Sequence, residues 1–204
     1  MFAGDKGTLR VPVTSNDHPG VTCFVWVAGR PSLDLCNTRR GDVELLGTPE
    51  DLARWIVEAG LSLGAFEVGD ADLRAALSLR EDLRPALVTG DGPAVAALAA
   101  RWLDGVPGRL CVEQATLRPR FRPAGATPRC ALVRAVLDAL ELVREQPGRV
   151  RECAAEDCTA IYLDTSRNGS RRWCSMRRCG SRAKAATYYR RHRGIAPAQG
   201  PSTR

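Results

Sequence analysis

Cys153-Ala154-Ala155-Glu156-Asp157-Cys158, followed after fifteen residues by Cys174-Ser175-Met176-Arg177-Arg178-Cys179, decides how this chain is read. Two C-x4-C pairs at that separation supply the four thiolates of a closed tetrahedral zinc site. Redox or merely buried cysteines are the other reading, but core packing explains poorly two local pairs in a polar segment. Five positions turn a helix by ~500°, so Cys174 and Cys179 cannot share a face of one continuous helix. Cys174 is therefore expected just before a helix and Cys179 in its first turn, with Ala183–Arg193 continuing it. Thr159–Asp164 reads as a strand, Ser166-Arg167-Asn168-Gly169 as a turn, and Arg171–Trp173 as the returning strand. Knuckle, hairpin and helix start in this order predict a treble-clef-like finger. Ile161, Tyr162, Leu163, Trp173 and Met176 are too few to stabilise it alone. One structural zinc ion, contributing ~10–16 kcal/mol in zinc-finger peptides, covers that deficit. Four thiolates leave no open coordination position, so the metal is expected not to be catalytic.

Working outward, charge is concentrated around the cysteines. Residues 149–193 carry 12 Lys/Arg against 4 Asp/Glu, whereas residues 1–148 carry 17 against 19. Within the basic stretch arginine outnumbers lysine eleven to one, which suits forked contacts to phosphate. Arg171, Arg172, Arg177, Arg178, Arg182, Lys184, Arg190 and Arg191 are the candidate nucleic-acid contacts. The alternative is a solvated face, with the last arginines complementing a helix dipole. Tyr188 and Tyr189 offer stacking or a hydrogen bond to the nucleic-acid backbone, one of them packing on the finger core.

The rest of the chain reads as an α+β domain, mainly helical with a small antiparallel sheet. Residues 20–147 form this domain, 149–193 the finger, and 1–19 and 194–204 flexible ends. Val21–Val27 reads as a strand. Ser32–Thr38 fits a short strand or a helix start. Thr48-Pro49-Glu50-Asp51 opens a helix that points Leu52, Trp55 and Ile56 inward. Asp70 is expected to cap a second helix, with a kink or early end at Pro85. Pro93–Asp104 is a third, and Leu110–Arg122 a hairpin. Leu132, Val133, Val136, Leu137, Leu140 and Val143 form the apolar stripe of a fourth. Arg80, Glu81 and Arg84 read as a solvated face. Aromatic residues make up only 5% of the chain, so the core is built of Leu, Val and Ala. The two modules are expected to have separate cores.

No apolar run reaches the ~18 residues of a membrane-spanning helix, and Met1–Asp17 lacks the order of a secretory signal. The expected setting is the cytoplasm, with Cys23, Cys36, Cys111 and Cys130 as reduced thiols. His18 and His192 are the only histidines, and neither accompanies a nucleophile motif.

Asp164-Thr165-Ser166-Arg167-Asn168, Arg171-Arg172-Trp173-Cys174-Ser175-Met176 and Cys179-Gly180-Ser181-Arg182 closely resemble the CGNR zinc finger. Gly29-Arg30-Pro31-Ser32-Leu33-Asp34-Leu35-Cys36-Asn37-Thr38 is similar to the opening of the ABATE domain that accompanies it, as is Asp51-Leu52-Ala53-Arg54-Trp55. The resemblance spans roughly residues 20–193. It implies a stress-induced bacterial transcription regulator with a treble-clef finger that binds double-stranded DNA. Ser181 stands where the family has Asn, which removes a two-headed amide and any adenine readout that needs one.

A regulator needs an input. Asp34, Asn37, Thr38 and Trp55 are candidates to line a pocket for a small-molecule effector. The stronger reading makes Asn37-Thr38 a turn or cap, Asp34 the partner of a nearby arginine and Trp55 a core residue. The N-terminal domain is expected to sense a ligand or form a homodimer. Two other functions stay open: a protein- or RNA-binding adaptor, and an enzyme using an N-terminal pocket.

Overall fold

The structure is a computed structural model and describes residues 24–192, except Leu63, Thr116 and the side chains of Arg190 and Arg191. The leader, Val21–Cys23, His18, Arg193 and the tail from 194 lie outside the described residues.

Thr48 and Asp51 form a reciprocal capping box at the start of α2 (Pro49–Glu58). The helix buries Leu52, Trp55 and Ile56 completely. Before it comes α1 (Pro31–Cys36), a single buried helical segment. Asp138 holds its first turn, accepting from Ser32 N at 3.1 Å and Ser32 Oγ at 2.5 Å and pairing with Arg30 at 2.8 Å. Two short strands, β1 (Arg39–Arg40) and β2 (Val43–Glu44), form a small hairpin after it.

Helix α3 (Asp70–Thr89) runs through Pro85 without ending. The proline removes one donor, but Ala86 and Leu87 beyond it are buried, so packing carries the helix onward to Gly90. Its cap also differs from expectation: Gly69 is the cap residue, with Asp72 accepting from Gly69 N at 3.0 Å. Helix α4 (Gly92–Leu103), the hairpin β3 (Gly108–Glu113) with β4 (Arg118–Pro123), and α5 (Pro128–Glu145) follow as the sequence predicts. Residues 24–27 form no strand; Trp26 instead stacks on Trp55 at 6.4 Å.

The finger begins at β5 (Val150–Glu152), which pairs antiparallel with β6 (Ile161–Leu163). Val150 and Ile161 are buried in the same hydrophobic cluster as the helices, so the β5–β6 strands pack into the body. Around the cysteines the finger keeps a second cluster of its own, with Cys153, Cys158, Ala160, Tyr162, Cys174 and Cys179 buried together, so the separate cores expected from sequence hold at the metal end and not at the strands. Two buried bonds reinforce the junction. Asn37 Nδ2 donates to Ile161 O, and Ile161 N donates to Asn37 Oδ1, both at 2.9 Å. Arg84 adds a third tie, reaching Glu152 at 3.0 Å and Thr159 O at 2.6 Å.

Candidate metal centre and its arginine rim

The knuckle from Cys153 to Cys158 is the loop of the β5–β6 hairpin. Cys153 N donates to Ala160 O at 2.9 Å, and Cys158 N to Ala155 O at 3.0 Å. The strand partner thus precedes the knuckle. Residues 171–173 do not form the returning strand expected from sequence; Arg172 O accepts a single bond from Ala154 N at 2.8 Å. The loop between is set by buried Asp164, which accepts from Ser166 Oγ at 2.6 Å, Ser166 N at 2.9 Å and Arg171 N at 3.1 Å. The Ser166 hydroxyl, more than any other partner, holds the Asp164 carboxyl below its usual range. Gly169 completes the turn at φ 61°.

Cys179 lies on a wide turn rather than an α-helical one. Cys179 N and Gly180 N both donate to Ser175 O at 3.0 Å, giving a π turn over Met176–Gly180. Helix α6 (Ser181–His192) follows. The extra residue of the turn reconciles the five-position spacing with a shared ligand sphere. A Cβ on Gly180 would lie 2.8 Å from Met176 Sδ, so a larger residue there would have to displace the end of the exposed Met176 side chain. Ser181 donates its hydroxyl to Met176 O at 3.0 Å.

The four sulfurs all lie within 4.8 Å of one another, and all four residues are buried. A tetrahedron with Zn–S bonds of ~2.3 Å has edges of ~3.8 Å. The Sγ separations of 3.7 Å for Cys158–Cys174 and 3.6 Å for Cys174–Cys179 fit that sphere. These cysteines therefore form a site for one zinc ion. Cys174 N points at Cys153 Sγ at 3.4 Å, and Arg182 Nη2 at Cys179 Sγ at 3.6 Å. Both donors favour thiolate. Burial pushes the Cys174 and Cys158 thiols up. At Cys179 burial again pushes upward and is the largest single influence, but the Arg182 guanidinium and contacts with Cys174, Cys158 and Cys153 together lower the thiol.

The predicted phosphate contacts divide into two groups. Arg171 is built into the finger: its Nε donates to Trp173 O at 2.9 Å, its Nη2 to Cys174 O, and its guanidinium lies 4.6 Å over the Tyr162 ring. Arg182 pairs with Asp157. Arg172, Arg177, Arg178 and Lys184 are exposed and meet no carboxylate among the described residues. Arg190 and Arg191 lie on α6. Tyr188 and Tyr189 are both exposed, at 59% and 64%, so neither packs on the finger core. Tyr188 stacks on His192 instead, at 4.0 Å.

The predicted pocket residues are brought together as packing. Trp55 is fully buried, and Asn37 holds Ile161. Thr38 Oγ1 donates to Leu35 O at 2.7 Å and accepts from Arg80 Nη1 at 3.1 Å. Asp34 Oδ1 accepts from Ala28 N at 3.2 Å, while burial raises its carboxyl to about 6. Arg80 is not on a solvated face. It is 3% exposed and grips Glu44 with two bonds of 2.7 Å, pinning β2 to α3. Sequence reasoning missed Arg40. It joins Arg177, Arg178 and Arg182 around one cavity, and only the β1–β2 hairpin brings it there.

A mainly helical α+β body joined to a four-cysteine zinc finger defines the class of protein. Residues 29–146 match the ABATE family model, described as a putative stress-induced transcription regulator, and residues 149–192 match the CGNR zinc finger. The first match alone covers more than half of the 204 residues, and the chain belongs to the ABATE family, with a CGNR finger behind that domain. A search of curated proteins finds no match.

Proposed function

We propose that the chain is a cytoplasmic, zinc-containing transcription regulator whose finger binds double-stranded DNA through its phosphate backbone. One contrast carries this reading. In the body most described arginines meet a carboxylate, Arg80, Arg101, Arg118 and Arg120 among them, while Arg74, Arg109 and Arg122 are exposed without one. On the finger, Arg172, Arg177, Arg178 and Lys184 have none among the described residues. Unpaired guanidiniums on a metal-braced turn are preorganised for forked bonds to phosphate oxygens. The zinc would be held by Cys153, Cys158, Cys174 and Cys179, and it supplies rigidity rather than reactivity. The family description of a transcription regulator agrees with this role.

The test is anisotropy titration of a labelled random-sequence duplex with zinc-loaded protein, wild type against Arg177→Ala/Arg178→Ala. Losing two charge-assisted bonds at ~1.5 kcal/mol each weakens binding on the order of 100-fold. Zinc content should stay the same. Equal affinity in the two proteins refutes the assignment.

A further inference from the structure

A cavity of about 390 Å³ lies where the body meets the finger. That size falls in the range of small-molecule sites. One wall is apolar: Val25 and Val27 from the segment before α1, and Ala160 from the knuckle. The rim is cationic: Arg40 on β1, Arg177 and Arg178 on the π turn, and Arg182 on α6. Arg40 Nε is buried and has no hydrogen-bond partner among the described residues. Buried donors of this kind call for an acceptor. Among the described residues no acidic side chain lines the cavity. Cys174 and Cys179 also line it, so a zinc–tetrathiolate centre of net charge −2 forms part of its wall, and Asp157 is already paired with Arg182. Four guanidiniums exceed these, so the site stays positive.

We propose that this junction cavity binds a small organic phosphate or carboxylate with a short apolar part. The head group accepts forked bonds from Arg40 and the π-turn arginines, and the apolar part lies on Val25 and Val27. Because Arg177 and Arg178 serve both partners, the bound anion competes with duplex DNA. That competition rests on the DNA-binding reading; the ligand site itself does not. The ligand bridges the N-terminal segment and the finger, so its binding state is coupled to the rim that meets nucleic acid.

Phenyl phosphate and inorganic phosphate are suitable probes, titrated calorimetrically into the zinc-loaded full chain. Phenyl phosphate is expected to bind once per chain and several-fold tighter than inorganic phosphate. It should also lower duplex affinity in the anisotropy assay. Arg40→Gln is expected to weaken phenyl phosphate binding at least tenfold while zinc content and duplex affinity match wild type. Val25→Asp, which sets a negative charge on the apolar wall, should do the same without touching an arginine. The proposal is overturned if phenyl phosphate fails to saturate at millimolar concentration. It is equally overturned if both variants bind it like wild type, or if only Arg177→Gln weakens it. Should the duplex not bind at all while Arg40-dependent phenyl phosphate binding persists, the DNA reading fails and the ligand site stands.

Discussion

Asn37→Ala should destabilise the whole protein, although Asn37 lies 124 residues from its partner. The side-chain amide satisfies both Ile161 N and Ile161 O at 2.9 Å, and both Asn37 and Ile161 are buried. Alanine leaves one donor and one acceptor unpaired where water does not reach. Each such group costs ~1–3 kcal/mol, giving about 4 kcal/mol for the pair. That is a large part of the ~5–15 kcal/mol that holds a domain folded. With a urea slope of ~2 kcal/mol/M, the midpoint should fall by about 2 M. The assay is urea unfolding of zinc-loaded protein followed by far-UV circular dichroism. Because Ile161 belongs to the common core, the helical signal of the body should move with the finger. Asn37→Asp should be no better, since a carboxylate would face the Ile161 carbonyl. A midpoint shift below about 0.5 M in Asn37→Ala would refute the reasoning.

Three further outcomes follow from the same geometry. Chelating the zinc, or Cys158→Ser, should lower the melting temperature of the body as well as the finger; an unchanged helical transition would mean independent modules. Arg80→Ala should cost about 2–3 kcal/mol in urea unfolding, less than the full penalty for a broken buried pair because Glu44 remains partly exposed; no loss would mean the pair does not anchor β2. Asp34 makes a pH prediction. Its folded carboxyl is raised from 3.8 to about 6, so stability is lost as pH rises from about 4 through 6. Two pH units correspond to about 3 kcal/mol. Asp34→Asn should therefore match wild type near pH 4 and exceed it by up to that amount at pH 7, measured by paired denaturant curves; a gap independent of pH would contradict this.

What was legible in the sequence was local. The C-x4-C pairs named the metal ligands because their spacing is short and chemical. Thr48 with Asp51 marked α2, and the apolar stripe marked α5, because caps and periodicity act within a few residues. What was missed is long-range. Arg80 looks solvated until β2 folds back and delivers Glu44. Asn37 looks like a turn residue until β6 arrives beside it. Pro85 reads as a breaker because sequence does not show the burial of Ala86 and Leu87 that keeps α3 going. Residues 171–173 read as a returning strand because they follow the turn at Ser166–Gly169. The actual partner, β5, lies before the knuckle, where only the Val150–Leu163 register reveals it. The finger arginines looked equivalent in sequence. Geometry separates Arg171, built into the finger, from Arg177 and Arg178, which face outward.

The salt dependence of duplex binding bears most directly on the central claim. Four exposed cations, Arg172, Arg177, Arg178 and Lys184, lack a carboxylate among the described residues. If each displaces a counterion, log affinity should fall against log salt with a slope of about −3.6 for the zinc-loaded chain. A flat line, or no binding to duplex at low salt, would contradict it.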